Sequence, residues 1–312
     1  MQEKRGSFSG GLGFVLSAAG SAVGLGNLWR FPYLAAQYGG GIFILVYLVL
    51  VVTFGYSLLV MEIGIGRKTK KSSISAFLQL DKKFSIFGYL ATIVPMIILP
   101  YYCVIGGWVT KYAIVFLSGQ TSEAAVDGYF SGFIGQTWSP ILMFLLFLGV
   151  TTVVVLAGVE KGVERVSKFM MPILLLISIA ICIYVTTIPN SWDGIKYYLL
   201  PDFSKFSFKT VCAAMGQMFY SMSLAMGIMI SYGSYVKDDI NIGKSVGHIE
   251  LFDTSIAIMA GFMIVPAVYV FSGEPGLKTG GPGLMFMTLP KVFDIMPMGT
   301  IIGAAFFILV LL

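Results

Sequence analysis

GGLGFVLSAAGSAVGLGNLWRFPYLAAQ, residues 10–37, is apolar enough to cross a bilayer, yet it holds glycine at 10, 11, 13, 20, 24 and 26 beside Asn27 and Arg30. Glycine in a helix interior costs about 0.5–1 kcal/mol relative to alanine. Gly24-Leu25-Gly26 is therefore the expected point of rupture. A second stretch, AAMGQMFYSMSLAMGIMISYGSYV (213–236), sets Gln217, Ser221, Ser223 and Gly227 into its centre. Backbone that is not helical survives at membrane depth only where it is buried in protein or lines a cavity. Interrupted segments at matching positions of two repeats mark a transporter's binding site. The plainer reading is that small residues merely let helices pack closely. Two such segments, each with embedded polar residues, favour the first.

Composition agrees with a membrane setting. Of 312 residues, 57% are hydrophobic and only 11% charged, with a mean hydropathy of +0.89. A soluble domain carries about 25% charged residues, and disorder requires low hydrophobicity. The net charge of +5 does not indicate nucleic-acid binding, because most basic residues sit in short loops between apolar runs. Cys103, Cys182 and Cys212 lie inside apolar runs as small hydrophobes. With His248 the single histidine, no transition-metal site is expected. No GxSxG, HExxH or GxxxxGK[ST] motif occurs, so an intramembrane enzyme is disfavoured.

Spans of about 20 apolar residues are expected near 10–37, 41–66, 85–117, 139–158, 166–188, 208–236 and 245–272, with an eighth from 299 cut at Leu312. A chain seldom stops inside a span, so this one is expected to be part of a longer protein. The interrupted spans are the first and the sixth, as two five-helix repeats require. The expected organisation is one transmembrane domain over 1–312, with a first repeat at about 10–188 and an incomplete second at about 208–312. Alternating the loops gathers thirteen basic residues on one side: Lys4, Arg5, Arg67, Lys68, Lys70, Lys71, Lys82, Lys83, Lys161, Arg165, Lys168, Lys237 and Lys244. Five, namely Lys196, Lys205, Lys209, Lys278 and Lys291, fall on the other. The positive-inside rule makes the first side and the N-terminus cytoplasmic, in a multi-pass protein of the plasma (inner) membrane.

Asp253, a third of the way into the seventh span, is the most informative residue. An aspartate at a helix centre costs about 2.5–3.5 kcal/mol on insertion scales, which marks it as partnered and functional. No lysine or arginine lies near it in the span, so a cation from elsewhere is the natural partner. Oxygen donors such as Asn27, Ser221 and Gln217 suit a small hard cation. Protonation, or a place nearer the interface, is the alternative. Glu62, five residues before Arg67, either snorkels or caps backbone N–H groups of a broken neighbouring helix. Arg30 either snorkels or forms half of an ion pair closing an outer vestibule. Tyr101 and Tyr102 are further embedded hydroxyls.

GSAVGLGNLWRFPY (20–33), YGGGIF (38–43), MEIGIGR (61–67), PYYCVIGGW (100–108), GVEKGVERVSK (158–168), GQMFYSMSLAMG (216–227) and GPGLMFMTLPKVF (281–293) together resemble the neurotransmitter:sodium symporter family, and more closely its bacterial amino-acid transporters. The resemblance runs from Arg5 to the end of the chain. It implies an all-α polytopic fold of inverted five-helix (LeuT-type) repeats with discontinuous helices one and six, the architecture known for the family's bacterial prototype. It also implies sodium-coupled import of an amino acid by alternating access. A binding-only sensor or an inert piece of such a transporter is the alternative.

By position, the resemblance places a first sodium ion on the Ala22 carbonyl, Asn27, Ser221, Asp253 and the substrate carboxylate, and a second on the carbonyls of Gly20 and Val23 with further ligands from the later part of span eight. The substrate carboxylate would meet the Leu25 and Gly26 amides and the Tyr102 hydroxyl. Its ammonium would meet carbonyls of Ala22, Tyr220, Ser221 and Ser223. Ser21, Ile98, Tyr101, Ile105, Tyr220, Ser223 and Met226 would wall the pocket. Small Ser21 and adaptable Met226 favour a bulky hydrophobic or aromatic side chain such as tyrosine, tryptophan or leucine. Gly24, where monoamine carriers hold aspartate, leaves room for a substrate bringing its own carboxylate. Chloride-coupled relatives have asparagine at the place of Asp253. The corresponding residues here are Tyr47, Gln217, Ser221, Asp253 and Ala257, and a fixed carboxylate implies chloride independence. Arg30 and Arg5, the latter beside Phe8, would pair with acids beyond Leu312. Gly162 and Pro172 would let the inner end of the fifth span unwind. Sodium, an amino acid and the bilayer are the implied partners; association of like copies stays open.

Overall fold

A computed structural model describes residues 10–157, 165–279 and 283–311. The regular structure among them is helical, apart from an isolated antiparallel bridge between Gly40 and Pro201. Arg5, Phe8 and Gly162 lie outside the described residues.

The first apolar stretch is cut in two. Helix α1 (Gly11–Ala22) ends where Val23 turns extended at φ −76°, ψ 97°. A π-helical turn at Gly26–Arg30 then leads into α2 (Phe31–Gln37). The second span joins α3 (Gly41–Leu50) to α4 (Tyr56–Thr69) through a π-helical turn at Val51–Gly55, three residues longer at its C-terminal end than hydropathy suggests. A short α5 (Ser73–Leu80) precedes α6 (Ser85–Leu117), which has the expected bounds. The small helices α7 (Thr121–Ala124) and α8 (Tyr129–Ile134) lead to α9 (Trp138–Leu156) and α10 (Arg165–Thr187), in which Pro172 sits inside the helix. An amphipathic α11 (Ser191–Leu199) follows.

The sixth stretch is also discontinuous. Helices α12 (Phe208–Ser221) and α13 (Ile228–Ser234) are separated by residues 222–227, where Ser223, Ala225 and Gly227 take φ of 54°, 59° and 68°. Left-handed backbone at a residue other than glycine costs of order 1–3 kcal/mol and persists only where its surroundings impose it. The seventh helix, α14 (Ile242–Thr279), runs beyond its expected limits of 245 and 272 across a kink at Gly273. It is followed by α15 (Leu284–Ile295), a helix that hydropathy alone did not mark, and by α16 (Gly299–Leu311).

Five of the described spans are continuous, long and apolar enough to cross a membrane. Burial separates centre from rim: 56% of the most apolar window of α14 is buried, against 6% for α9. The bare surface of α9 (Leu142, Val153, Leu156) is left for lipid to cover. Around α14 are packed α1, α2, α10 and α11. Helix α4 meets α13 at the closest quarters. A Cβ on Gly66 would stand 1.9 Å from the Ile230 carbonyl oxygen, and one on Gly233 would stand 2.4 Å from that of Ile63. Small residues of this kind let two backbones touch.

Candidate functional site

The two breaks face each other. In a continuous helix the Leu25 N–H would donate to the Ser21 carbonyl and the Asn27 N–H to that of Val23. Here Leu25 donates to the Tyr102 hydroxyl (3.1 Å) and Asn27 to the Gly24 carbonyl (3.1 Å). The carbonyls of Ser21 and Val23 are thereby released from the ladder. Across from them, the Ala225 N–H, which would bond the Ser221 carbonyl, donates instead to Glu62 Oε1 at 2.7 Å. Glu62 thus holds the strained link between α12 and α13 in place.

Between the breaks lies a cavity of about 320 Å³. Gly20, Ser21, Ala22 and Gly26 line it from the first broken span, Ile98 and Tyr102 from α6, and Tyr220, Ser221, Ser223 and Met226 from the second broken span. The structure adds Pro95, Leu99 and Ile228, which sequence reasoning missed. Two expected walls are elsewhere. Tyr101 leans on Trp29, with ring centroids 5.6 Å apart, and is 40% exposed. Adjacent residues of a helix point about 100° apart, and here Tyr102 faces the cavity while Tyr101 does not. Ile105, two turns beyond Ile98, is buried in the core instead of lining the cavity. Gly24 stands where a Cβ would lie 2.4 Å from the Tyr102 hydroxyl.

Beside the cavity is a buried oxygen cluster. Asn27 Nδ2 donates to both Asp253 Oδ1 (2.9 Å) and the Asp253 carbonyl (2.8 Å). The Ser221 hydroxyl lies 2.9 and 3.0 Å from the two Asp253 carboxylate oxygens and 3.1 Å from Asn27 Oδ1. Tyr47 donates to Asp253 Oδ2 at 3.4 Å. Asp253 is fully buried and has no ion pair among the described residues. The single Ser221 proton is offered to three acceptors. That surplus of oxygen lone pairs in a dry site suits a small hard cation, with Asp253 supplying the compensating charge. No cluster of three His, Cys, Asp or Glu side chains occurs among the described residues.

Gln217 is not part of this cluster. It donates to the Gly26 carbonyl at 2.9 Å and accepts from Arg30 at 2.7 Å. Arg30, which has no acidic partner among the described residues, thus finds a neutral amide and stacks over the Tyr220 ring at 5.1 Å. Gly20 and Val23 also border a second cavity of about 200 Å³, closed by Ser167 and Met171 of α10 and by residues 309–311 of α16.

A sequence profile of the sodium:neurotransmitter symporter family matches residues 5–125 and 132–312. The chain belongs to that family. It is a multi-pass membrane protein of a family of transporters, not enzymes. An uncharacterized sodium-dependent transporter of Bacillus subtilis, YhdH, is 35% identical over 95% of this chain. The chain spans 66% of that relative's length. A sodium- and chloride-dependent taurine transporter of Homo sapiens is 28% identical over 99% of this chain and is covered to 58%. Among solved structures, MhsT in complex with L-phenylalanine superimposes with a TM-score of 0.92 at 38% identity, over 98% of this chain and 70% of its own. The all-helical, multi-span fold is thus shared with that solved structure.

Proposed function

We propose that the protein imports an amino acid with a hydrophobic or aromatic side chain, coupled to sodium and without need of chloride, by alternating access. The observation that carries this reading is the convergence of two broken helices and the Asp253–Ser221–Asn27 oxygen cluster on one cavity of about 320 Å³. A zwitterion needs amides for its carboxylate and carbonyls for its ammonium, and interrupted helices offer both. The substrate carboxylate is assigned to the Leu25 and Gly26 amides with the Tyr102 hydroxyl, and the ammonium to carbonyls of Ala22, Tyr220, Ser221 and Ser223. The first sodium is assigned to Asn27, Ser221, Asp253 and the Ala22 carbonyl. Carbonyls of Gly20 and Val23 serve the second, toward the cavity beside α10. MhsT, crystallised with phenylalanine, supports an aromatic substrate.

Asp253 stands in for the anion that chloride-dependent relatives require. The first repeat covers about 10–188 and the incomplete second about 208–312, and the N-terminus is cytoplasmic in the plasma membrane. The test is binding of radiolabelled phenylalanine to the purified protein in sodium and in choline buffers, followed by uptake into proteoliposomes. Sodium-dependent binding and flux support a symporter. Binding without flux would mark an amino-acid sensor, and no sodium effect on binding would overturn the reading.

A further inference from the structure

Next to the main cavity, toward α5, lies a chamber of about 330 Å³. The two share Pro95, Met226 and Ile228, so the chamber continues the pocket past the Met226 side chain. At its far wall is the start of α5, whose N-cap residue Ser72 makes no capping bond. The first N–H groups of a helix have no acceptor within it. Ser73, only 5% exposed and seated against Gly227, has a buried hydroxyl without a hydrogen-bond partner. A buried polar group left unsatisfied costs free energy, and such exceptions call for a ligand or water. Two other hydroxyls of the chamber have spent their protons: Thr92 on the Gly88 carbonyl (2.9 Å) and Ser231 on that of Gly227 (3.0 Å). They retain lone pairs and can only accept.

Ser72 and Tyr232 also line the chamber, which offers the buried Ser73 hydroxyl as a free donor beside these two acceptors, and no charged side chain among the described residues lines it. An ammonium would be desolvated there with no carboxylate to compensate it. A neutral hydroxyl, which accepts from one neighbour and donates to another, matches the set. We propose that this chamber is the side-chain subsite for a para-hydroxylated aromatic amino acid, with Ser73 donating to the phenolic oxygen and Thr92 accepting its proton. The inference rests on the amino-acid reading above and narrows its substrate class.

The test is competition of tyrosine and phenylalanine against radiolabelled phenylalanine on the purified protein in sodium buffer, for wild type, Ser73→Ala and Thr92→Val. Wild type should bind tyrosine about five-fold more tightly than phenylalanine, the effect of one hydrogen bond. Each variant should bring tyrosine to the level of phenylalanine while phenylalanine binding is unchanged, which also reports that the variant is folded. Equal affinities in wild type, or variants that weaken both ligands alike, would overturn the subsite and leave the transporter reading standing. Absence of sodium-dependent phenylalanine binding in wild type would overturn both.

Discussion

Asp253 presents a full carboxylate to three neutral donors, Asn27, Ser221 and Tyr47. On the proposed reading, neutralising it removes the charge that balances sodium, while its amide isostere keeps the shape. Asp253→Asn is expected to raise the sodium concentration for half-maximal binding at least ten-fold in gluconate medium, with partial recovery when chloride is restored. Wild type should give the same sodium titration in both media. On the same reading, Tyr102 meets the substrate carboxylate. Tyr102→Phe removes the hydroxyl that meets the Leu25 amide, and a hydrogen bond to a charged group is worth about 1.5–3 kcal/mol. Equilibrium binding should accordingly weaken by about one to two decades. Much at this scale is legible in the sequence. A carboxylate deep in a span is too costly to be idle, and that alone singles out Asp253. The partner of Arg30 is not legible, because charge arithmetic looks for an acid and the structure supplies the amide of Gln217.

Helix breaks are the features that sequence reads best here, since glycine and polar residues inside an apolar run weaken a helix that hydropathy would otherwise extend. The rupture in the first stretch falls at Val23–Gly24, one residue before the expected Gly24-Leu25-Gly26 point, and that in the sixth at 222–227. What hydropathy did not mark are α5, α7, α8, α11 and α15, short helices lying outside the long apolar runs. The link at 222–227 is held by the Glu62 cap on Ala225. Glu62→Ala leaves that N–H without its partner and should cost about 1–3 kcal/mol, read as a lower melting temperature and a weaker response to sodium.

On the scale of the molecule, the loops fall into two groups that meet one another. Arg67 and Lys70 reach the carbonyls of Ile240 and Val236, joining the ends of the second and sixth spans. At the other end, Lys291 meets Asp127 at 2.6 Å and Ser122 meets Asp294. Single cysteines at Asp238 and at Asp127 should therefore label oppositely in whole cells, with an impermeant maleimide reaching only the latter. Span number and order can be read from hydropathy. Which helix occupies the centre cannot, because α9 and α14 are similarly apolar, and only packing tells which of them lipid surrounds.

The backbone-to-backbone fit of Gly66 and Gly233 acts as a splint. It binds α13 to α4, so on the alternating-access reading α13 should move with α4 and not alone. On that reading the hinge should fall at residues 23–25, where α1 is broken from the turn that follows it. Spin labels across α4 and α13 should hold one distance throughout the cycle, while a pair between α1 and α10 separates on release of sodium.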